Sequence, residues 1–177
     1  MPVGLFMLNI LHCLAIMLTL FSSFASFSSD DVKEIDHEKR WSLYRAKQGD
    51  SSVCYIGSFP IKQEGTYKKR DDPYIIVINN DEGDDELSIS AGYPYLEKSN
   101  VMLSVDGKNN YTLFTRGEFA WANDQETDNI IIDKMKKGLT MRVSAISHKN
   151  TKSYDTYSLL GFTKMYNRMK KLCVRGG

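Results

Sequence analysis

An excess of charge of either sign is missing from this chain of 177 residues, which carries 23 Lys and Arg against 22 Asp and Glu. Nucleic-acid binders show a clear basic surplus, so that class of partner is set aside. Disorder needs one-sided charge together with few apolar residues, and here 42% of the residues are hydrophobic. Histidine is scarce as well. Of three, His12 lies in an apolar leading segment, His37 in a polar stretch and His148 in the turn "SHKNT", a position where a solvated polar residue is ordinary. No serine stands in a G-x-S-x-G elbow, and Ser158 in "DTYSLLGF" lacks that frame. A triad hydrolase is therefore not expected and no catalytic residue is named; carboxylate-only chemistry, which needs no histidine, is harder to exclude. The acidic run from Asp81 to Glu86 has Gly83 one residue early for a calcium loop. It reads instead as a solvated hairpin tip, and neither a metal nor a cofactor is expected.

Charged residues are absent altogether from residues 1–25, "MPVGLFMLNILHCLAIMLTLFSSFA". Leu14 to Phe21 is almost wholly apolar, and Ser23 and Ala25 supply the small residues at −3 and −1 of a cut before Ser26. That is the layout of a secretory signal peptide, although its start has no Lys or Arg. The competing reading is an uncleaved anchor, since Val3 to Phe21 is interrupted only by Asn9, His12 and Thr19 and is just long enough to span a bilayer of ~30 Å. Cleavage leaves about 150 residues, one ordinary domain. It also removes Cys13, so Cys54 and Cys173 are the remaining thiols. In an oxidising compartment such a pair reads as a disulfide, because a metal site would need further Cys or His at ligand spacing.

Residues 26–40 are polar and charged and read as a flexible mature N-terminus. From Trp41 the pattern changes to short runs with turn residues between them. "RWSLYRA", "VCYIGSF", "YIIVI", "LSISAGY", "VMLSV", "YTLFT", "GEFAWA", "LTMRVSAIS" and "SYDTYSL" give about nine strands. "YIIVI" has the continuous apolar character of a strand covered on both faces, and Leu139, Met141, Val143 and Ala145 share one face of another. Asp106-Gly107 suits a tight hairpin turn. One internal helix is predicted from Thr127, as cap, to Gly138, as a left-handed stop. A second follows at the C-terminus, where Phe162, Met165, Tyr166 and Met169 recur at helical spacing and Leu172 and Cys173 continue the stripe. Ser158 is its expected cap. The whole reads as one all-β domain over 41–177, an antiparallel sandwich or barrel with two short helices.

Candidate binding residues are aromatic or basic. Tyr93 and Tyr95 in "GYPY" are amphipathic and suit a partner-binding surface. Lys68, Lys69 and Arg70 form a basic cluster that Asp71 and Asp72 would neutralise in an exposed loop. Asn110-Tyr111-Thr112 fits a glycosylation sequon, relevant only on a eukaryotic secretory route.

The succession "CYIGSFP", "YKKRDDPYIIV", "AGYPY", "VMLSVDG", "AWA", "DKMKKGLTMRV" and "DTYSLLGFTKM" resembles the bacterial invasion-associated locus B family. The likeness runs from about Trp41 to Cys173, with "KKGLTMRV" and "DTYSLLGF" its most specific parts. It implies an exported β-sandwich similar to immunoglobulin-like folds, in Gram-negative bacteria, from a family named for a role in entry into host cells. It brings no catalytic residues. The mid-domain cysteines common in the family are lacking in "GEFAWAND", so only the Cys54–Cys173 pair is supported. The expectation is a non-enzymatic protein of the periplasm, outer membrane or medium that binds a protein partner in the envelope or on the host cell. It would touch a membrane only through an uncleaved leader. The alternative is a structural or quality-control factor of the envelope. An open sandwich also leaves an end or edge to cover, and the last helix is the expected lid.

Overall fold

Alternation of apolar and polar side chains turns this sequence into strands, each with one face to bury. The structure, a computed structural model, describes residues 32–48, 51–79 and 83–172. The predicted signal peptide 1–25 and Cys173 lie outside them. In chain order the elements are β1 (Val32–Glu38), β2 (Trp41–Gln48), β3 (Ser51–Ser58), β4 (Lys62–Gly65), β5 (Tyr74–Asn79), β6 (Asp85–Ser90), β7 (Asn100–Val105), β8 (Lys108–Arg116) and β9 (Phe119–Trp121). Helix α1 (Gln125–Lys137), β10 (Thr140–Ile146), β11 (Lys152–Ser158) and α2 (Phe162–Leu172) complete the fold.

All pairings are antiparallel. They run without a break in the order β1-β2-β3-β5-β6-β9-β8-β7-β10-β11-β4. The sheet nevertheless makes a sandwich, because it folds over on itself. The Trp41 indole N–H at the start of β2 donates to the Ser158 carbonyl at the end of β11, 2.9 Å away, although those strands stand second and tenth in the order. Leu43, Ile56, Val77 and Leu87 from one half meet Leu103, Leu113, Val143 and Tyr157 from the other in a single buried cluster. At ~25 cal/mol per Å² of apolar area, that common core is the main favourable term in folding.

The count is eleven strands where about nine were expected, and both additions are edges. β1 lies within the stretch predicted to be flexible. It pairs with β2 from Val32↔Ala46 to Glu38↔Trp41, and its Ile35 packs on the core. β4, "KQEG", pairs with β11. An edge strand needs only a backbone partner and little apolar surface, and a charged edge also discourages pairing with another chain. Composition therefore concealed both.

The helices correct three details. α1 is capped by Asp124, whose carboxylate accepts from the Thr127 N–H, so Thr127 is inside the helix and not its cap. Gly138 ends it in an extended conformation, φ −88° and ψ 168°, not a left-handed one. Glycine is needed there for room, since a Cβ would stand 2.4 Å from Val105 Cγ1. Ser158 accepts from the Leu160 N–H in a turn before α2 and does not cap it. On β10, Met141, Val143 and Ala145 face the core, but Leu139 precedes the strand and is exposed. The Asp106-Gly107 turn stands as expected, both residues at positive φ (51° and 67°).

α2 buries Phe162, Met165, Tyr166 and Met169, the stripe its spacing predicts, while Leu172 stays largely outside. It packs on β1, β2, β3 and α1, and Phe162 meets Trp41 edge-on at 4.8 Å between ring centres. The acidic tip after β5 is tied to this helix and is not wholly solvated. Asp85 is 7% exposed; it accepts from the Tyr166 hydroxyl and, at 3.1 Å, from Lys170 Nζ.

Candidate functional site

Tyr93 and Tyr95, the predicted binding pair, are core residues, 7% and 5% exposed. After β6 the chain turns inward through Gly92, at φ 73°, and Tyr95 bridges to Ser147. The Tyr93 phenol shares a hydrogen bond with the Ser153 hydroxyl, and Tyr95 donates to the Ile89 carbonyl at 3.2 Å. Burial raises the pKa of both. "GYPY" thus plugs one end of the core and does not form an outer surface. Cys54 is also inward and 4% exposed.

The basic cluster is split. Arg70 turns inward, its side chain 2% exposed, and makes a two-pronged ion pair with Asp155 on β11, equally buried. It also donates to the Ala91 carbonyl at 3.0 Å. Burial opposes the guanidinium charge, but the carboxylate bonds outweigh it and hold the Arg70 pKa above its usual value. Lys68 and Lys69 remain outside.

The surface that the sequence did not single out is the outer face of β2, β3, β5, β6, β9 and β8. In a two-layer β-fold this face is ordinarily polar. Here Tyr44 pairs with Tyr55 across β2 and β3, their rings stacked at 5.1 Å and 19°. One register row runs Gly57, Ile76, Ser88, Trp121, Phe114, and the next runs Tyr74, Ser90, Phe119. Trp121 sits 5.7 Å from both Phe114 and Phe119, and Tyr74 meets Phe119 at 6.3 Å. The short Ser88 and Ser90 side chains are buried between their larger neighbours in the rows. "YIIVI" is therefore not covered on both faces: Ile75 and Val77 fill the core, whereas Tyr74, Ile76 and Ile78 are only half-buried. Apolar residues at both parities of a strand were the available signal.

Two grooves mark this face. One of about 270 Å³ lies between Tyr44, Tyr55 and Tyr74, with Gly57 among its lining and Phe59, 58% exposed, at its rim. The other, about 480 Å³, has Phe114 and Trp121 beside Arg116, Asn123 and Gln125. Burial raises the pKa of Tyr55, as do the Tyr44 and Tyr74 phenols, and burial likewise raises that of Tyr74, with Glu118 adding to it. Both phenols stay protonated at neutral pH and can donate to a partner. Such a face offers flat apolar area with polar tips, the composition of a protein-contact patch. Among the described residues, no group of three His, Cys, Asp or Glu is placed to hold a metal, and no helix is long and apolar enough to cross a membrane.

The model of the invasion associated locus B (IalB) protein family matches residues 41–170. Among solved structures, the crystal structure of invasion associated protein b from Bartonella henselae aligns with a TM-score of 0.57 at 16% identity, over 79% of this chain and 97% of that one. At that identity the likeness is one of fold. No curated protein matches the sequence. The match from β2 into the last helix, well over half of the chain, places it in the invasion associated locus B (IalB) family.

Proposed function

We propose that this protein is exported and works without catalysis, by holding a protein partner on its aromatic outer face, in the host-cell interaction for which its family is named. One observation carries the reading: six aromatic side chains, Tyr44, Tyr55, Tyr74, Phe114, Phe119 and Trp121, line the outer sheet surface where polar residues are ordinary. Contiguous apolar patches on monomers mark interaction sites, and Tyr and Trp dominate the binding energy of such sites. Export is supported by the leader's composition. A Cys54–Cys173 disulfide is proposed with it, because Cys54 lies on β3, against which α2 packs, and Cys173 directly follows that helix.

The test is a photo-crosslinking amino acid placed at Phe114, with capture from host-cell surfaces and from the bacterial envelope in parallel. A partner is expected that is lost from Trp121→Ser and Tyr74→Ser variants whose circular dichroism and melting temperature match the parent. A partner kept by both variants would remove this face from the function. Capture solely among envelope proteins would convert the reading to a structural factor of the envelope.

A further inference from the structure

Three lysines on the opposite side of the Tyr93 plug stand without carboxylates. Lys68 and Lys69 come from the β4–β5 loop and Lys149 from the β10–β11 turn, yet all three line one pocket of about 400 Å³. Its other walls are Tyr67, His148 and hydroxyls such as Thr66 and Ser147, and no Asp or Glu is among them. Lys62, Lys136, Lys164 and Lys170 each have a carboxylate within ion-pair distance; other described lysines such as Lys108 and Lys134 have none, and what sets this pocket apart is that three unpaired lysines share it. Lys68, Lys69 and Lys149 form no ion pair among the described residues. Asp71 and Asp72, which the sequence offered as their neutralising partners, do not line the pocket.

The walls are held rigidly. Thr66 N–H donates to the Lys152 carbonyl at 2.9 Å and Thr66 Oγ1 accepts from Lys152 N–H at 3.1 Å, stitching loop to turn. Gly65 allows that approach, since a Cβ there would lie 2.2 Å from the Lys152 oxygen. Arg70, fixed by Asp155, lies 4.3 Å from the centre of the Tyr67 ring and positions the residues just before it. In the turn, Ser147 Oγ accepts from the Lys149 and Thr151 N–H groups, both at 3.2 Å. His148 Nδ1 donates to the Pro94 carbonyl at 3.1 Å, which leaves Nε2 as the ring's open nitrogen. Like charges gathered on a fixed frame, with hydroxyls between them, favour a compact anion with several acceptor oxygens.

We infer that this pocket is a binding site for a phosphate-type oxyanion, the headgroup of a phosphomonoester, separate from the aromatic face. Purified isotope-labelled protein is titrated with inorganic phosphate and then pyrophosphate, with sodium chloride of matched ionic strength as the control. Saturable amide shifts are expected at Lys68, Lys69, Lys149 and Thr151. The Lys68→Ala, Lys149→Ala double variant, changing exposed side chains only, is expected to bind about tenfold or more weakly, given the strength of charge-assisted hydrogen bonds. Lys108→Ala, at a distant hairpin, is expected to bind as the parent does. Shifts that match those in chloride, or an equal loss in Lys108→Ala, overturn the site. Sedimentation with phosphatidylcholine vesicles containing phosphatidic acid, lost in the double variant, identifies a lipid-borne phosphate. Saturable phosphate binding without sedimentation identifies a soluble one, and either result supports the oxyanion site.

Discussion

Arg70 and Asp155 show how a loop that looks solvated can hold a buried, tightly paired charge. Both side chains are 2% exposed, so each has lost the hydration that would otherwise stabilise it. Arg70 Nε and the Tyr157 hydroxyl, sealed beside them, have no hydrogen-bond partner among the described residues, which adds to the desolvation that the pair must offset. Removing one partner leaves the other charge buried. Arg70→Met alone should therefore cost about 3–5 kcal/mol in denaturant unfolding, whereas Arg70→Met with Asp155→Leu should recover most of it. Equal losses in the single and double variants would mean that the pair itself is the stabilising unit. Asp128 gives a second test at this scale. Its carboxyl, 5% exposed, is pushed up to about 6 by burial, against the Leu87 N–H bond it accepts and with help from Glu86 and Asp124. Because the folded value lies above the unfolded one, the contribution of Asp128 is fully present below pH ~4 and lost as pH rises through ~6. Asp128→Asn keeps an oxygen for Leu87 and removes the charge. It should unfold like the parent near pH ~4 and be more stable by a few kcal/mol near pH ~8, a comparison that paired pH melts make directly.

The elements divide by what their neighbours demand. α2 was legible because a helix that covers a core must repeat its apolar residues every three or four positions, and Phe162, Met165, Tyr166 and Met169 do so. Phe162 is 0% exposed and packs edge-on against Trp41. Phe162→Ala should cost about 3–5 kcal/mol, while Leu172→Ala, at an exposed position, should stay within about 0.5 kcal/mol. Thermal melts that do not separate the two variants would take away the helix's part in closing the fold. β1 and β4 were not legible for the opposite reason, being polar edges specified by a neighbour's backbone groups and not by their own side chains. The acidic tip misled in the same way. The carboxylate of Asp85 is buried by Tyr166 and Lys170, about eighty residues later in the chain, and no local pattern records such a contact.

At the scale of the molecule, the sandwich was readable from alternation, but which faces stay open was not. That depends on the sheet's order: a strand such as β5 carries apolar residues on both sides, and among the described residues neither helix packs extensively on it, which leaves Tyr74 and Ile76 half-buried. Tyr93 and Tyr95 failed as surface residues because the same topology brings Ser153 and Ile89 to their hydroxyls. Both helices instead lie at the other end of β6 and over β1 to β3, so the fold is closed by α2 docking late in the sequence. A Cys54–Cys173 bond would tie that closing element to the sheet across a loop of ~100 residues, worth at most ~4–5 kcal/mol. Its loss should then be felt unevenly. In native hydrogen exchange, reduction of the protein, or the Cys54→Ala, Cys173→Ala variant, should speed exchange in residues 162–172 first, while amides of β5 and β6 keep their protection. Because those strands lie inside the sheet, they should follow only when the whole fold opens. Exchange in α2 that is the same with and without reductant would mean that packing of Phe162 and Met165 alone holds the helix, and that the two thiols are not joined.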